Sequence, residues 1–518
     1  MRVFLSGPMG SGKSTIARLL GERLGLAVID LDERIQARAS RSVAEIFADS
    51  GEAAFRHLEA DVLGELLADT QDAIVSLGGG TVTVPELRHR LLFEGTLVTL
   101  DADLDVLVRR VGSGKGRPLL AGQDIRARLT ALLAQRAEAY AECHARVDTG
   151  RLSVQQAVEM VADLAGRELV TVPLGRRTYP VEVGSGVRHR IVEFLAGRRV
   201  VLVTDENVGP RWGVNIADTL RNAGSDVALV TLPAGEAHKH VRSVEAIWDQ
   251  ALSAGVDRHA FVVAVGGGVV GDLAGFAAAT LLRGVAVGHV PTSLLAMVDS
   301  SVGGKTGFDT RQGKNLVGAF HQPSFVLADV DVLETLPDAE RVAGLAEVVK
   351  SAWIEGEREV SALERDAEAL RAGEPQATSD AIRMACRMKA RVVTLDEREA
   401  GLRAILNLGH TVGHAIEAAQ DYRLRHGECV ALGMVAACRL SVRLARMAAQ
   451  DADRMTALLH RLGLPTDVTP HLTDRTLSFL SADKKRSGDA VRYVLPGAPG
   501  DIELRKLPLR ELASLLRM

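Results

Sequence analysis

The sequence contains few cysteines and few aromatic residues. Its four cysteines, in a chain of 518 residues, include no C-x-x-C pair. Neither a disulfide framework nor a thiolate zinc site is therefore indicated, and a reducing cytoplasm is the expected compartment. Phenylalanine, tryptophan and tyrosine together make up 3% of the chain. So few aromatic side chains argue against stacking platforms for single-stranded nucleic acid.

The chain also lacks an excess of one charge and any long apolar segment. It has 62 basic and 66 acidic residues, a formal net charge of −4, so no field of one sign is available to bind nucleic acid or an anionic membrane. The most apolar stretch, about residues 260–282, contains Asp272 and several glycines, which argues against a membrane span. The first residues lack the apolar region of a signal peptide. We expect a cytoplasmic protein that acts on small molecules, without nucleic-acid or membrane partners.

Length and patterning predict an α/β protein with several domains. At roughly 150 residues per domain, the length corresponds to about three to four domains. Strand-like runs alternate with helical stretches up to residue 165, and a second alternation begins at Leu169, as is typical of parallel sheets. The last helix before Leu169 is predicted to begin at Ser153, where Gln156 completes a capping box, and to end near Gly166. After Pro337 long helical patterns dominate. We predict a parallel-sheet domain at 1–166, a Rossmann-like α/β domain at 167–337, and a mostly helical domain at 338–518.

A complete phosphate-binding loop follows the first predicted strand. The segment Gly7-Pro-Met-Gly-Ser-Gly-Lys-Ser14 matches G-x-x-x-x-G-K-[ST] and stands directly before an apolar helix. In such a P-loop, backbone N–H groups surround the phosphates, the lysine reaches the outer phosphates, and the hydroxyl binds Mg²⁺. The residues predicted to bind ATP with Mg²⁺ are Gly10, Gly12, Lys13, Ser14 and Thr15. A module that senses nucleotide without phosphoryl transfer is the alternative.

The polar motifs downstream are ambiguous one by one. Asp32 is also a candidate helix cap, Arg56 with Glu59 a candidate surface pair, and the glycine triplet a candidate plain turn. Their combination closely resembles shikimate kinase over nearly all of residues 1–165. The matching motifs are Asp30-Leu-Asp32, Gly51-Glu-x-x-Phe-Arg56-x-x-Glu59, Gly78-Gly-Gly80, Arg117-Pro-Leu-Leu and Arg136-x-x-x-Tyr140.

This resemblance implies a P-loop kinase domain and a role for each motif. Shikimate would be bound by Asp32, Arg56, Gly79 and Arg136. Asp32 would also orient or deprotonate the attacking 3-hydroxyl. Arg117, on a lid, would contact ATP and stabilise the transferring phosphoryl group. Such roles suit phosphoryl transfer, which requires positioning and cationic stabilisation more than covalent chemistry.

A second glycine-rich turn, Gly266-Gly-Gly-Val-Val-Gly-Asp272, follows the predicted strand Phe261–Val265. The backbone of such a turn can approach a pyrophosphate at the start of the next helix. The spacing is not the usual G-x-G-x-x-G, so a plain strand–helix turn stays open. Upstream, Glu236 offers a carboxylate for ribose hydroxyls. Between Arg283 and Asn315, single charges among small residues suggest a buried pocket for an anion.

Histidines near the C-terminal part suggest a metal site. His410 and His414 are four residues apart, so they lie on one face of a predicted helix. By spacing alone both would be metal ligands. Core or capping histidines are the alternative.

Residues 169–518 resemble 3-dehydroquinate synthase throughout. The resemblance rests on the glycine-rich turn, Pro291–Lys305, Ala346-Glu-Val-Val-Lys350, Lys389, Arg403-x-x-x-Asn407-Leu-Gly-His410-Thr-Val-Gly-His414 and His426-Gly-Glu428. It implies that Glu347, His410 and His426 bind a divalent metal, Zn²⁺ or Co²⁺, and that His414 transfers protons. On the ground of this resemblance, we expect His426 rather than His414 to bind the metal together with His410. A homodimer through the synthase part is also implied.

The other residues implied by this resemblance bind NAD⁺ or substrate, or are catalytic. NAD⁺ would be bound by Glu236, Lys239, Gly268, Gly271, Asp272, Thr292, Ser293, Asp299, Lys305, Lys314 and Thr335. The substrate carboxylate and phosphate would be bound by Asn315, Lys350, Lys389, Arg403, Asn407 and Lys484 or Lys485. The catalytic residues would be Arg283, Lys305 and His414.

The implied synthase reaction is an internal redox cycle. The substrate, 3-deoxy-arabino-heptulosonate 7-phosphate, would be oxidised at C4 by NAD⁺, lose phosphate, regain the hydride and close to a carbocycle. One alternative is an alcohol dehydrogenase of the glycerol dehydrogenase type, which releases NADH. Another is a sugar-phosphate cyclase for a substrate without the carboxylate. The two resemblances together predict a bifunctional enzyme of the shikimate pathway to chorismate and aromatic amino acids.

Overall fold

The structure, a computed structural model, describes residues 1–69, 71–112, 124–421, 423–482 and 490–517. It contains two compact units, Met1–Pro180 and Val181–Met518. The division falls after Pro180 rather than at residue 166, and the predicted parts 167–337 and 338–518 fall mostly in one unit. The three-domain division stays a prediction. Within the described ranges, no helix is long and apolar enough to cross a membrane.

The first unit is built on one parallel sheet. The strands of this sheet are β1 (Arg2–Ser6), β2 (Ala27–Asp30), β3 (Ala73–Ser76), β4 (Thr96–Asp101) and β5 (Ala145–Asp148). The unit also contains β6 (Leu169–Val172), which lies outside this sheet. Its helices are α1 (Lys13–Leu24), α2 (Leu31–Ala39), α3 (Val43–Ala68), α4 (Pro85–Glu94), α5 (Leu104–Val111), α6 (Ile125–Ala141) and α7 (Val154–Gly166). Strands β1 to β5 lie in the order β2-β3-β1-β4-β5, with all neighbours parallel.

Both faces of this sheet are buried, as a parallel sheet between helices requires. Along β1, Val3 and Leu5 pack into one apolar cluster, whereas Phe4 packs into another. Alternate side chains of a strand point to opposite faces, so the run of apolar residues in β1 serves two cores. The predicted start of α7 is confirmed, because Ser153 and Gln156 form the capping box.

The second unit combines a parallel sheet with a helical part. Its strands are β7 (Tyr179–Gly184), which spans the division, β8 (Arg199–Asp205), β9 (Asp226–Leu232), β10 (Phe261–Gly266), β11 (Ala286–Pro291), β12 (Lys305–Thr310), β13 (Gly313–Phe320), β14 (Val326–Asp329), β15 (Ala490–Pro496) and β16 (Ile502–Pro508). Its helices are α8 (Ile191–Leu195), α9 (Val214–Asn222), α10 (Val241–Ser253), α11 (Gly268–Thr280), α12 (Asp338–Glu355), α13 (Glu357–Arg365), α14 (Ala367–Ala372), α15 (Pro375–Leu395), α16 (His410–Ala419), α17 (His426–Arg443), α18 (Ala449–Arg461), α19 (Asp474–Ala482) and α20 (Leu509–Arg517).

The parallel strands run in the order β7-β14-β11-β10-β8-β9. Every residue of β10 is buried, as its unbroken apolar sequence predicts for a central strand. From α12 to α19 the chain is almost entirely helical, and β15 with β16 forms an antiparallel hairpin. The predicted fold class, a parallel-sheet domain followed by a Rossmann-like part and a helical part, is confirmed.

A buried ion pair stabilises the first unit. Arg88 donates to Glu142 and to the carbonyl of Val82, and both charged side chains are only 10% exposed. Burial acts to raise the pKa of Glu142, but hydrogen bonds from His89 and Arg88 and the charge of Arg88 lower it to about 2. The carboxylate therefore contributes stability above the ordinary pKa near 4.5, and this stability is lost as the pH falls toward 2.

We expect Glu142→Gln to destabilise the first unit by about 3 kcal/mol at neutral pH, because the charge of Arg88 stays buried without its partner. The difference in unfolding free energy between Glu142→Gln and wild type should narrow below pH 4.5. Hydrogen exchange of β4 and β5 amides measures it. Glu22→Gln is the control, since its pair with Arg18 is 62% exposed on both sides and contributes little. Unchanged protection in Glu142→Gln would contradict the prediction.

Candidate functional site

The phosphate-binding loop connects β1 to α1, so the predicted strand–loop–helix context is confirmed. Gly10 and Gly12 have φ angles of +84° and +94°, which favour glycine because other side chains clash there. The ammonium of Lys13 donates to the carbonyls of Gly7 at 2.9 Å and Pro8 at 3.2 Å. The lysine thus lies across the mouth of the loop, where the N-terminus of α1 favours anions.

The residues predicted for ATP and for shikimate line one cavity of about 700 Å³. On one side are the loop and the start of α1. On the other side the lining residues are Asp32, Arg56, Gly79 and Arg136. The sequence predicted these two groups separately, and the structure brings them together. Arg117 lies outside the described residues.

The glycine triplet 78–80 lies against two arginines. The carbonyl of Gly79 accepts a hydrogen bond from Arg136 Nη1 at 2.7 Å and another from the Tyr140 hydroxyl. A side chain at Gly80 would collide with the guanidinium of Arg56, at 2.1 Å from Nη2. The triplet is therefore more than a plain turn, because it leaves room for two cations beside the cavity.

Arg56 and Glu59 are not the surface pair that their spacing allows. The side chain of Glu59 is fully buried and lies 2.6 Å from Arg56 Nη1 through Oε2. Its other oxygen accepts a hydrogen bond from the Thr81 hydroxyl at 2.5 Å. Glu59 therefore fixes the guanidinium of Arg56 at the cavity, a role that sequence analysis did not assign.

Asp30, rather than Asp32, caps α2. The Asp30 carboxylate accepts hydrogen bonds from the backbone N–H groups of Asp32 and Glu33, and from the Ser14 hydroxyl at 3.0 Å. Asp32 lies in the first turn instead and lines the cavity. Burial, then the charges of Asp30 and Glu59, raise the pKa of Asp32 to about 6. A carboxyl group with a pKa near neutral pH suits proton transfer.

Arg110 is another residue of this cavity that sequence analysis could not place. It lies in the last turn of α5 and donates to the hydroxyl of Thr149 at 2.9 Å and to its carbonyl at 2.8 Å. It also lines the cavity beside the phosphate-binding loop. Its position at the end of a helix that follows a buried strand is the only sequence signal for it.

In the second unit, the glycine-rich turn joins β10 to α11, as predicted. A Cβ atom at Gly268 would lie 3.1 Å from the Ser300 hydroxyl, and one at Gly267 would lie 3.5 Å from the Ser293 hydroxyl. The N–H of Thr292 donates to the carbonyl of Gly266 at 3.0 Å. The hydroxyl-bearing segment predicted for NAD⁺ therefore adjoins the turn.

Two lysines join polar residues predicted to bind the dinucleotide and one, Asn315, predicted to bind the substrate. Lys239 Nζ lies 2.6 Å from Asp272 Oδ2 and donates to Asn315 Oδ1 at 2.7 Å. Lys314 Nζ lies 3.0 Å from Glu236 Oε1. The structure thus groups five predicted residues between the turn and the hairpin of β12 and β13.

Two predicted residues have other surroundings. The Thr335 hydroxyl accepts a hydrogen bond from Trp212 Nε1 at 2.8 Å and donates to the carbonyl of Val332 at 3.0 Å. Arg283 lies in the turn after α11, at the opposite end of this helix from Gly268. At about 1.5 Å per residue, the helix separates them by roughly 20 Å. The structure therefore does not bring Arg283 to the glycine turn, and Lys484 and Lys485 lie outside the described residues.

The predicted anion pocket contains buried cations. Lys389 and Arg403 are 6% and 1% exposed. Lys389 Nζ donates to Asp299 Oδ1 at 2.5 Å and to the Asp299 carbonyl at 2.6 Å. Burial acts to raise the pKa of Asp299, but Lys389 and Lys350 hold it well below its usual range. Arg403 Nη2 donates to the carbonyl of Gly303 at 3.0 Å.

Glu399 joins Lys305, predicted to bind NAD⁺ and to be catalytic, to Asn407, predicted to bind substrate. Its Oε2 accepts a hydrogen bond from Lys305 Nζ at 2.5 Å, and its Oε1 accepts one from Asn407 Nδ2 at 3.2 Å. A carboxylate thus lies where the resemblance predicts contacts with a substrate anion. Sequence analysis missed Glu399, whose acidic neighbours Asp396 and Glu397 make it resemble an ordinary surface residue.

Three helices bring a carboxylate and two imidazoles together. Glu347 Oε1, on α12, lies 3.5 Å from His410 Nε2 and 3.9 Å from His426 Nε2. This oxygen is buried and has no hydrogen-bond partner among the described residues. The other Glu347 oxygen binds Lys350. An unpartnered carboxylate oxygen facing two imidazole nitrogens fits a divalent metal, and two histidines with one glutamate leave a position for substrate.

His414 lies in the same cluster as His410 and His426. The second ring nitrogens of His410 and His426 distinguish these two residues from His414. His410 Nδ1 is 3.2 Å from the Leu408 carbonyl, and His426 Nδ1 is 3.4 Å from Glu417 Oε2. Metal-binding histidines usually donate their second N–H to such acceptors. Burial, then the charge of His426, lower the pKa of His414 to about 4. This arrangement favours His410 and His426 as ligands over the pair His410 and His414.

Glycines allow the helices that carry these groups to approach closely. A Cβ atom at Gly427 would lie 1.8 Å from the Ala343 carbonyl oxygen of α12. One at Gly433 would lie 1.9 Å from the carbonyl oxygen of Gly409, the residue before α16. Because α12, α16 and α17 touch through their backbones, the first residues of α16 and α17 reach Glu347.

Comparisons with known proteins match the N-terminal and C-terminal parts of the chain to different families. Residues 9–165 match the family model described as shikimate kinase, and residues 229–343 and 344–486 match those for the N-terminal and C-terminal parts of 3-dehydroquinate synthase. A protein named 3-dehydroquinate synthase from Symbiobacterium thermophilum is 48% identical over 337 residues, which cover 64% of this chain and 94% of that protein.

Two solved structures resemble the same part of the chain. A 2-deoxy-scyllo-inosose synthase complexed with carbaglucose-6-phosphate, NAD⁺ and Co²⁺ is 27% identical, with a TM-score of 0.63, and the match covers 67% of this chain and 99% of that one. A 2-epi-5-epi-valiolone synthase from Streptomyces hygroscopicus with NAD⁺ and Zn²⁺ bound is 28% identical, with a TM-score of 0.60, covering 65% and 95% respectively.

Proposed function

This chain belongs to the 3-dehydroquinate synthase family and carries a shikimate kinase domain ahead of its synthase part, so it is a bifunctional enzyme of the shikimate pathway, and we propose how its residues perform the two reactions. The kinase would phosphorylate the shikimate 3-hydroxyl with ATP. The synthase would convert 3-deoxy-arabino-heptulosonate 7-phosphate to 3-dehydroquinate and phosphate.

The kinase proposal rests on the single cavity that joins the phosphate-binding loop to the acceptor residues. Lys13 and the loop N–H groups would bind the ATP phosphates. The Ser14 hydroxyl, beside the Asp30 carboxylate, would bind Mg²⁺, which prefers oxygen ligands. Arg56 and Arg136 would bind the shikimate carboxylate, and Arg117 stays the proposed lid residue. Asp32 would accept the proton of the attacking hydroxyl.

The pH dependence of the kinase follows from the raised pKa of Asp32, about 6. A general base acts in its deprotonated form, so kcat/KM for shikimate should fall about tenfold per pH unit below pH 6. The Asp32→Asn variant should lose activity by about 10²-fold to 10⁴-fold, and its kcat/KM should not show this fall below pH 6. Initial rates from pH 5 to 8 measure both. An acid limb with the same midpoint in Asp32→Asn would exclude Asp32 as its source.

The synthase proposal rests on the unpartnered oxygen of Glu347, which faces His410 and His426. Bound NAD⁺ would take up and return a hydride, and a metal held by Glu347, His410 and His426 would polarise the reacting hydroxyls. His414, which the low pKa keeps neutral, would accept the substrate proton next to the oxidised carbon. The residues Thr292, Ser293, Gly268 and Gly271 would bind the dinucleotide at the turn.

Charge supports an anionic substrate rather than a neutral polyol. Lys389 and Arg403 are buried, and cations in a dry pocket bind anions most strongly. A carboxylate-free sugar phosphate is the second candidate substrate, because the two similar structures are of other cyclases. Phosphate release from 3-deoxy-arabino-heptulosonate 7-phosphate without net NADH tests the proposal. NADH accumulation with glycerol instead would indicate a dehydrogenase.

Three further features belong to the proposal. The synthase metal would be Zn²⁺ or Co²⁺, the ions bound in the two similar structures. The compartment would be the cytoplasm, in keeping with four cysteines that are all buried and unpaired. A homodimer would form through the synthase part, which size-exclusion chromatography with light scattering tests.

A further inference from the structure

Glu417 joins the proposed metal site to the dinucleotide residues. It lies on α16, and its side chain is 8% exposed. Its Oε2 is 3.4 Å from His426 Nδ1, and its Oε1 accepts a hydrogen bond from Lys314 Nζ at 3.0 Å. Lys314 Nζ also lies 3.0 Å from Glu236 Oε1. Each oxygen of the Glu417 carboxylate therefore has a different partner, so the carboxylate is held from two sides.

The two proposed imidazole ligands are supported differently. Behind His410 lies a neutral acceptor, the Leu408 carbonyl. Behind His426 lies the Glu417 carboxylate. A carboxylate that accepts the second N–H of a metal-binding histidine fixes the tautomer and the orientation of the ring, and makes the ring a better donor to the metal. Of the two histidines, His426 is the one whose second ring nitrogen faces a charged acceptor.

We infer that Glu417 is a positioning residue that holds His426 for the metal, with Lys314 holding the Glu417 carboxylate in place. The inference rests on the proposed ligands Glu347, His410 and His426. It gives Lys314, a residue predicted to bind NAD⁺, an indirect effect on metal binding as well. Removing Lys314 should weaken metal binding although its ammonium is separated from His426 by the Glu417 carboxylate.

The test is metal binding by the full chain, measured with Co²⁺ in competition with a chromophoric chelator. Glu417→Ala should bind Co²⁺ about 10-fold to 100-fold more weakly than wild type and should shift the Co²⁺ absorption bands. Glu417→Gln keeps an oxygen acceptor for His426 Nδ1, so it should restore part of the affinity and of the spectrum. Lys314→Met should show a smaller loss. Asp421→Asn, which removes an exposed carboxylate paired with Arg475, should bind like wild type.

Wild-type affinity and spectrum in folded Glu417→Ala would overturn the inference. Folding is checked by circular dichroism. If Glu417→Ala does not fold, the near-isosteric Glu417→Gln is the deciding variant, and a Co²⁺ spectrum identical to that of wild type then overturns the inference. Failure of the proposed function gives another result. Wild-type protein would then bind no Co²⁺, or His410→Ala would bind it as tightly as wild type.

Discussion

His410→Ala is expected to lower phosphate release from 3-deoxy-arabino-heptulosonate 7-phosphate by about 10³-fold, because one of three proposed metal ligands is lost. Without the metal the reacting hydroxyls are not polarised, and a loss of about 4 kcal/mol in the transition state corresponds to this factor. The assay follows phosphate and NADH together, in the presence of NAD⁺ and Zn²⁺. Wild type should release stoichiometric phosphate with no net NADH.

A matched set of histidine variants shows which of them bind the metal. His426→Ala should behave like His410→Ala and lose bound metal. His414→Ala should retain metal but turn over slowly, because only the proposed proton acceptor is gone. If His414→Ala loses the metal while His426→Ala keeps it, the pair favoured by helical spacing is correct and the proposed set is wrong. Shikimate phosphorylation by the same samples should be unchanged.

Lys13→Ala is expected to lower shikimate phosphorylation by about 10³-fold and to leave phosphate release by the synthase unchanged. The Lys13 ammonium would neutralise charge on the outer phosphates of ATP, and electrostatic stabilisation is the main contribution in phosphoryl transfer. A coupled assay for ADP, with shikimate present, measures the first activity.

Arg18→Ala is the control for this variant, because Arg18 lies on the same helix but forms an exposed pair with Glu22. It should retain both activities. An equal loss of both activities in Lys13→Ala would show general damage to the chain rather than a lost phosphate contact. ATP binding by wild type without phosphorylation of shikimate would instead support a nucleotide-sensing module.

Local sequence signals predicted the elements of the fold correctly. The phosphate-binding loop, the capping box at Ser153 and the central strand β10 each depend on neighbouring residues, so periodicity and turn chemistry were enough. The alternative interpretation of Asp32 as a helix cap was wrong, because the cap depends on the residue at which β2 ends, and boundaries are uncertain by a few residues. Spacing also could not show that Glu59, the partner of Arg56, is buried.

Contacts between distant residues were beyond such signals. Lys314 and Glu417 are 103 positions apart, and only the packing of the β12–β13 hairpin near α16 brings them together. Spacing along one helix likewise favoured His414 as a ligand. The competing histidine, His426, begins a different helix, so its approach to Glu347 follows from tertiary packing. The family resemblance, rather than the pattern of residues, pointed to it.

The glycine contacts among α12, α16 and α17 also restrict which inherited changes the synthase tolerates. Neither Gly427 nor Gly433 is a proposed ligand, yet a methyl group at either would push backbones apart and widen the space between the ligands. The altered protein would bind metal more weakly. An organism carrying such an allele would require aromatic compounds for growth when metal is scarce, and added zinc would relieve the requirement.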